Sequence, residues 1–256
     1  MQRRARHTRF GERAGTRTVL QGTRPGAAGT APRARERLTE YDSTMCGRLI
    51  LQDPAEVVAQ LLGIVETVAD WPTRYNLAPT QAIPIVRTAG RLELVRWGLK
   101  MDNPRAGGFN AKRESMRLDG HTKRCLVVAS GFYEWRRVGG SKQPHAIHRT
   151  DGKPLVFAGL VDDTNGAAII TTPASGIIAT LHDRMPVVLE AKDFDRYLDT
   201  GNKIGPILAA AVAESLSMYP VGPRVGNVRN DDASLLERVP EVAAAEHAPP
   251  SQLGLF

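Results

Sequence analysis

The sequence predicts an α+β fold, with a mostly antiparallel, barrel-like β-sheet core flanked by helices in a single domain. Three observations carry this reading. Apolar runs of about four to eight residues recur at short spacing between turn residues, the pattern of many short strands. Helix-like periodicity is confined to segments before and after those runs. At 256 residues, 42% hydrophobic and 24% charged, the chain has the composition of a globular protein long enough for one substantial core.

The elements follow in order. Asp53-Pro54-Ala55-Glu56 supplies an N-cap, a proline at the first helical position and a glutamate at N3. This opens a helix expected to bury Val57, Val58, Leu61 and Leu62. Ile83–Arg87 and Leu92–Trp97 flank a short turn at Gly90 and read as a hairpin. Further strands are expected at Cys125–Ala129, Phe132–Arg137, His145–Arg149, Pro154–Val161, Ala167–Thr172 and Pro186–Leu189. Gly139-Gly140 and Asp151-Gly152 supply turns between several of them. Ala191–Leu198 and Pro206–Ser215 read as helices. The folded domain is expected to span 45–239, and 240–256 reads as a flexible Pro/Ala/Glu tail.

The net charge of +7 is unevenly placed. Residues 1–44 hold ten Arg, no Lys and four acids (Glu12, Glu36, Glu40 and Asp42), a balance of +6, which leaves +1 for 45–256. A DNA-binding face on the body must therefore come from local clustering. The first 44 residues lack apolar periodicity and cannot bury enough surface to offset their ordering entropy, so they are expected to be disordered. Three readings fit this segment: a basic arm, a targeting peptide, or upstream sequence absent from the functional protein. Met45 follows immediately.

Two cysteines, Cys46 and Cys125, cannot staple a fold of this size, so a reducing cytoplasmic setting is expected. Neither they nor the six histidines show metal-ligand spacing, and no metal or cofactor is expected. No run approaches the roughly 18 apolar residues of a membrane span. A monomer without membrane association is expected.

Chemistry enters at Met45-Cys46-Gly47-Arg48. A cysteine directly after a start Met exposes, once that Met is removed, a thiol and an α-amine on one residue. That 1,2-aminothiol is a specific reagent for aldehydes. The amine, with an ordinary pKa of about 7.7–8.0, forms a Schiff base, and the thiol closes onto the same carbon. The closure is intramolecular and gains the effective molarity of a tethered nucleophile. Joined to Met45 by an amide, Cys46 has no such chemistry and reads as an ordinary cysteine near a strand start.

Six further motifs follow in order: Arg74-Tyr75-Asn76-Leu77-Ala78-Pro79-Thr80-Gln81, Trp97-Gly98-Leu99, Asn110-Ala111-Lys112-Arg113-Glu114-Ser115, Ser130-Gly131-Phe132-Tyr133-Glu134-Trp135, His182-Asp183-Arg184-Met185-Pro186 and Val225-Gly226-Asn227-Val228. With Met45–Arg48 they resemble the SOS-response-associated peptidase (SRAP) family over about 45–230. The resemblance implies a covalent thiazolidine between an N-terminal cysteine and the open-chain aldehyde of an abasic site in single-stranded DNA. Carried over by motif, Cys46 is the nucleophile, Asn110 positions it, and Glu134 and His182 handle protons. The chemistry itself asks for such groups, since carbinolamine dehydration needs an acid near neutral pH. Glu134 lies in an apolar run suited to a raised pKa, and histidine titrates nearest physiological pH. Cys125, in an apolar strand, reads as a core residue.

For DNA, the candidates are Arg48, Arg74, Lys112, Arg113, Arg117 and Arg184 as phosphate ligands, with Asn76 and Thr171 beside them. Trp135, Pro79 and Tyr75 offer surfaces for stacking exposed bases. Lys112 stands where the family pattern often has Arg, so a bidentate contact becomes a point charge. Lys100–Gly108 lacks the bulky aromatics that some members carry. The chain's end, Gln252-Leu253-Gly254-Leu255-Phe256, resembles the Gln-Leu-x-Leu-Phe peptide that docks on the bacterial sliding clamp, which is an expected partner alongside abasic single-stranded DNA. A nucleoid-associated location is expected with these partners. Two other functions remain open: a cysteine peptidase, including self-processing before Cys46, and a non-catalytic single-strand-binding module.

Overall fold

The computed structural model describes residues 46–64, 71–87, 91–100, 108–116, 122–138, 140–209 and 215–242. Among the site residues expected from sequence, Arg117 and the terminal peptide Gln252–Phe256 lie outside these, as do Met45 and the Arg-rich segment. In chain order the elements are β1 (Leu49–Leu51), α1 (Ala55–Leu62), β2 (Arg74–Leu77), β3 (Ala82–Val86), β4 (Leu92–Trp97) and β5 (Asn110–Lys112). Then come β6 (Thr122–Ala129), β7 (Gly131–Val138), β8 (Ser141–Arg149), β9 (Leu155–Asp162), β10 (Gly166–Pro173) and β11 (Arg184–Pro186). Finally α2 (Phe194–Leu198), α3 (Ile204–Ala209) and β12 (Leu216–Pro220) complete the described set, joined by 3-10 turns.

Two sheets result. One has five strands in the order β12-β8-β7-β1-β2, all antiparallel. The other has seven, in the order β11-β10-β4-β3-β6-β9 with β5 beside β10. Because β10 also pairs β9, five of these strands close into a ring. The closure is partial rather than a strict barrel: β10 gives Gly166 and Ala167 to β4, then turns Ile169–Thr171 to β5, both in parallel. The expected antiparallel α+β class therefore holds, with these two parallel pairings as the departure.

The central core lies between the sheets and draws Leu49 and Leu51 from β1, Ile83 and Ile85 from β3, Phe132 from β7 and Phe157 from β9. A second apolar layer covers the ring's outer face, where Val58 of α1 and Tyr197 of α2 meet Leu126, Val128 and Val156. A third covers the outer face of the five-stranded sheet with Ile50, Tyr133, Val221, Val225 and Leu235. Strands buried on both faces read as continuous apolar runs. In β6, Cys125 and Val127 face the central core while Leu126 and Val128 face the helices.

Several boundaries differ from the sequence reading. Helix α1 begins at Ala55, and no side chain caps it. Its entry is held by Ser130 Oγ, which accepts from the Gln52 and Asp53 amides at 2.7 and 2.9 Å. It buries Ala55, Val58 and Ala59; Val57 is exposed and Leu61 and Leu62 are half-buried, since the buried stripe starts two residues earlier than expected. Gly63, at φ +64°, ends it in a left-handed conformation that glycine adopts freely. Strand β11 covers Arg184–Pro186 rather than Pro186–Leu189, while Val188 bridges Phe157 singly. The helix expected from Pro206 begins at Ile204, and Leu216–Pro220 is a strand. The tail expected from 240 is ordered to Val242: Gln143 Nε2 donates to the Pro240 carbonyl (2.9 Å), and the Val242 amide donates to Gln143 Oε1 (2.9 Å). No helix among the described residues is long and apolar enough to cross a membrane.

Candidate functional site

Strand β1 pairs β7 antiparallel, Leu49 against Phe132 and Ile50 against Gly131. The strands meet closely at Gly131, where a Cβ would stand 2.6 Å from the Ile147 carbonyl oxygen. Running back from Leu49 therefore carries the chain forward along β7. The Tyr133 amide donates to the Arg48 carbonyl (3.0 Å), and two residues further back the Cys46 nitrogen donates to Glu134 Oε1 at 2.6 Å. Both residues are buried, Cys46 at 1% exposure and Glu134 at 3%. Here the nitrogen is an amide; in a chain beginning at Cys46 the same atom is the α-amine. Burial, and after it the Glu134 charge, push the Cys46 thiol well above its ordinary pKa.

Cys46 also has φ +41°. A non-glycine residue in the left-handed region carries strain of about 1–3 kcal/mol at such sites. The angle is defined by the preceding carbonyl, so the strain vanishes when Cys46 has no residue before it.

Glu134 opens onto a cavity of about 630 Å³. Trp135, His182, Leu181 and Gly226 line it with Arg137 and Lys142. The 3-10 turn Gly176–Thr180 presents His182, whose amide donates to the Ile178 carbonyl (3.0 Å). Its Nδ1 lies 3.1 Å from the Arg184 amide nitrogen and 2.8 Å from Asp183 Oδ1. Neutral, Nδ1 accepts from the first; protonated, it donates to the second. Nδ1 is thus occupied locally, which leaves Nε2 for the cavity.

Arg48 and Asn76, expected at DNA, tie down the cavity wall at Gly226. Arg48 Nη1 donates to Asn76 Oδ1 (2.9 Å) and the Val225 carbonyl (2.6 Å), and Nη2 to the Gly226 carbonyl (3.1 Å). Asn76 is fully buried, and its Nδ2 donates to the carbonyls of Val225, Asn227 and Asn230. Three motifs far apart in sequence thus form one hydrogen-bond hub, in which Asn76 has a supporting role. Thr171 is fully buried on β10, in register with Lys112, and its hydroxyl accepts from Arg184 Nη2 at 3.0 Å.

The remaining expected residues make contacts of their own. Asn110 is fully buried on β5, in register with Ile169 of the seven-stranded sheet. Arg184 also pairs Glu114 at 3.0 Å. Burial raises the Glu114 carboxyl, but its hydrogen bond from Arg184 brings it below the ordinary value. Arg74 pairs Asp231, and Arg113 donates to the Leu208 carbonyl (3.4 Å). Lys112 is half-buried on β5, Pro79 lies in the turn closed by the Gln81 amide on the Ala78 carbonyl, and half-buried Trp135 packs with Tyr75 at the outer layer. Two residues that the sequence reading does not single out, Arg137 and Lys142, also line the cavity and are exposed register partners across the β7–β8 hairpin. Pairing outward from the Gly139-Gly140 turn was the signal that would have joined them.

The geometry can be set beside known proteins. The family model described as SOS response associated peptidase (SRAP) matches residues 45–228. Abasic site processing protein YedK of Escherichia coli is 30% identical over 224 residues, 76% of this chain and all of that protein. Abasic site processing protein YoqW of Bacillus subtilis is 29% identical over 223 residues, 75% of this chain and 99% of that one. A crystal structure of a Bacteroides thetaiotaomicron protein superposes with a TM-score of 0.63 at 22% identity, over 76% of this chain and all of that one, and supports the fold. With its seven motifs gathered on this fold and the family model spanning all of them, the chain belongs to the SOS response associated peptidase (SRAP) family.

Proposed function

We propose that the protein processes abasic sites in single-stranded DNA and, more finely, caps them through a thiazolidine on Cys46. The observation that carries this is the 2.6 Å contact between the Cys46 nitrogen and the buried Glu134 carboxylate beside a cavity that His182 also lines. The names of the relatives, abasic site processing proteins, point the same way.

In this mechanism the Cys46 α-amine attacks the open-chain aldehyde carbon. The new N–C bond forms as Glu134 carries one proton from nitrogen to the aldehyde oxygen, giving the carbinolamine. Glu134 then takes the second nitrogen proton and delivers it to the carbinolamine hydroxyl, which leaves as water and gives the imine. The thiol then adds to the same carbon: an S–C bond forms and the thiol proton passes to nitrogen, closing the ring. The order suits a buried, protonated thiol, since the amine acts first and sulfur is needed only for an intramolecular closure. His182, across the cavity, opens the sugar hemiacetal by proton transfer to and from its oxygens. Asn110, buried on β5, is assigned to positioning. Arg137, Lys142 and Arg184 steer the phosphates, and Trp135 stacks a base.

A cysteine peptidase needs a thiolate, and a thiol pushed upward is the wrong starting state for one. Self-processing at Met45-Cys46 has one specific observation in its favour, the φ +41° strain that cleavage releases. It also yields the aminothiol that capping requires.

The test uses protein beginning at Cys46 and single-stranded DNA with one abasic site. A band stable to denaturation, with the summed mass less one water and absent in Cys46→Ala, is expected. Retention of DNA without a covalent band would leave a binding module instead. For the terminal peptide Gln252–Phe256, which lies outside the described residues, we propose docking on a bacterial sliding clamp through Leu253, Leu255 and Phe256, with Gln252 as the directional contact. Calorimetry is expected to give about micromolar affinity, near −8 kcal/mol, lost in Leu255→Ala/Phe256→Ala. No binding at high micromolar clamp would remove this partner.

A further inference from the structure

Next to Glu134 stands a histidine that the mechanism above does not use. Glu134 of β7 and His145 of β8 are direct register partners in the antiparallel pair. Side chains of such partners share one face, with Cβ atoms about 4.5–5.5 Å apart. Both are buried, His145 at 1% exposure. The ring is held at both nitrogens. Nδ1 lies 3.2 Å from the Gln143 carbonyl oxygen, and Nε2 lies 3.2 Å from Glu241 Oε1.

Both partners are acceptors. A carbonyl oxygen only accepts, so the contact at Nδ1 calls for a hydrogen there. Glu241 Oε1 also accepts from Arg136 Nη1 at 2.6 Å, as an unprotonated carboxylate oxygen does, so Nε2 donates as well. Only the imidazolium donates from both nitrogens. The charged and titratable groups set against the ring are Glu134 and Arg136 on β7 and Glu241 on the chain after β12.

Glu241 does not stand there by chance of a mobile side chain. The segment that carries it is tied to the hairpin on both sides, by Gln143 to the Pro240 carbonyl and the Val242 amide, and Arg136 Nη2 donates to the Val242 carbonyl (3.3 Å). We propose that His145 is a positioning residue for Glu134, kept as an imidazolium at its side by Glu241 of the C-terminal strap.

The role is electrostatic and acts through Glu134, and so rests on the capping reading given above. A cation about 4–6 Å from a carboxyl favours its ionised form. Glu134 must begin as a carboxylate to take the proton from the Cys46 amine, so the rate falls as Glu134 is protonated in acid. Holding His145 charged keeps Glu134 ionised to lower pH. Without the Glu241 carboxylate, Nε2 has no charged acceptor and the ring returns to a neutral tautomer.

Two measurements test this. Nitrogen NMR of histidine-labelled full chain at pH 7, with His145 assigned by difference against His145→Gln, is expected to show both ring nitrogens protonated. In Glu241→Gln, a change at a half-exposed side chain that leaves the fold intact, the ring is expected to show a single tautomer. A neutral His145 ring in the parent chain would overturn the proposal whatever the DNA chemistry. The second measurement is the crosslinking rate against pH for protein matured to Cys46. The acidic limb is expected to move up by about one pH unit in both Glu241→Gln and His145→Gln, with the rate at high pH nearly unchanged. Limbs that superpose on that of a parent protein that does crosslink would overturn the positioning role alone. A parent protein that forms no crosslink would instead overturn the capping reading, and the NMR result would still stand on its own.

Discussion

Cys125 lies in the middle of β6 and Cys46 lies just ahead of β1, and both are packed in the central core at 1% exposure or less. Burial is the largest cause acting on each thiol and raises both pKa values. Their surroundings then diverge. Around Cys125 the strand is regular, apolar on both faces and paired along its length with β9. Around Cys46 the backbone is left-handed, the strand pairing has ended, and the main-chain nitrogen points at a buried carboxylate. A buried thiol alone is therefore an inert core group. What sets Cys46 apart is the nitrogen on the same residue, set 2.6 Å from a buried carboxylate.

The largest expected effect separates the two cysteines outright. Cys46→Ala abolishes crosslinking to an abasic oligonucleotide on a denaturing gel, while Cys125→Ala keeps the parent rate and loses about 1 kcal/mol of stability in a denaturant titration. A chain in which a residue is forced to remain before Cys46 should behave as Cys46→Ala does, since its thiol is intact but its amine is blocked. Crosslinking by that blocked chain would break the comparison, for it would mean that sulfur acts alone.

The next effect separates the carboxylate from the thiol. Glu134→Gln keeps a hydrogen-bond acceptor for the Cys46 nitrogen but cannot carry its proton. Crosslinking is expected to slow by about 10²–10⁴-fold, with noncovalent retention of the same DNA nearly unchanged. Equal rates in single-turnover kinetics would remove Glu134 from the proton path.

How much of this was legible in sequence follows from where each signal resides. Strand β6 and the hairpin β3–β4 are local: an unbroken apolar run, and two runs around a short turn. Strands β1, β2, β5 and β12 are three to five residues long and owe their pairing to partners distant in sequence, such as Leu49 with Phe132, so no local pattern announces them. The same limit applied to the site. Cys46, Glu134 and His182 could be named as candidates because their motifs suggest a chemistry. Arg48 and Asn76 read as DNA contacts because a cation and an amide inside a motif suggest ligand contacts, and no local pattern announces that Arg48 reaches carbonyls 177 and 178 residues away. Arg48→Ala should accordingly cost about 2–3 kcal/mol in stability, because charge-assisted bonds are lost and wall carbonyls are left bare. A salt-dependent loss of DNA affinity with unchanged stability would return Arg48 to the phosphate role.

The smallest effect is expected at Arg137 and Lys142, and it sharpens the contrast between cations that hold the wall and cations that face the solvent. Both are exposed at the cavity mouth and adjacent across the hairpin, so each can meet one phosphate without giving up a tertiary contact. A cation that neutralises one phosphate of a single strand releases condensed counterions, contributing about −0.7 to the slope of log affinity against log salt. Arg137→Ala and Lys142→Ala should therefore each flatten that slope by about 0.7 and weaken noncovalent binding at low salt several-fold. Melting temperature should stay at the parent value, because neither side chain fills a core or closes a hydrogen-bond hub. The crosslinking rate at saturating DNA should also be unchanged, since these cations act before the aldehyde is engaged. Parallel salt plots for parent and variants would place the phosphate track elsewhere.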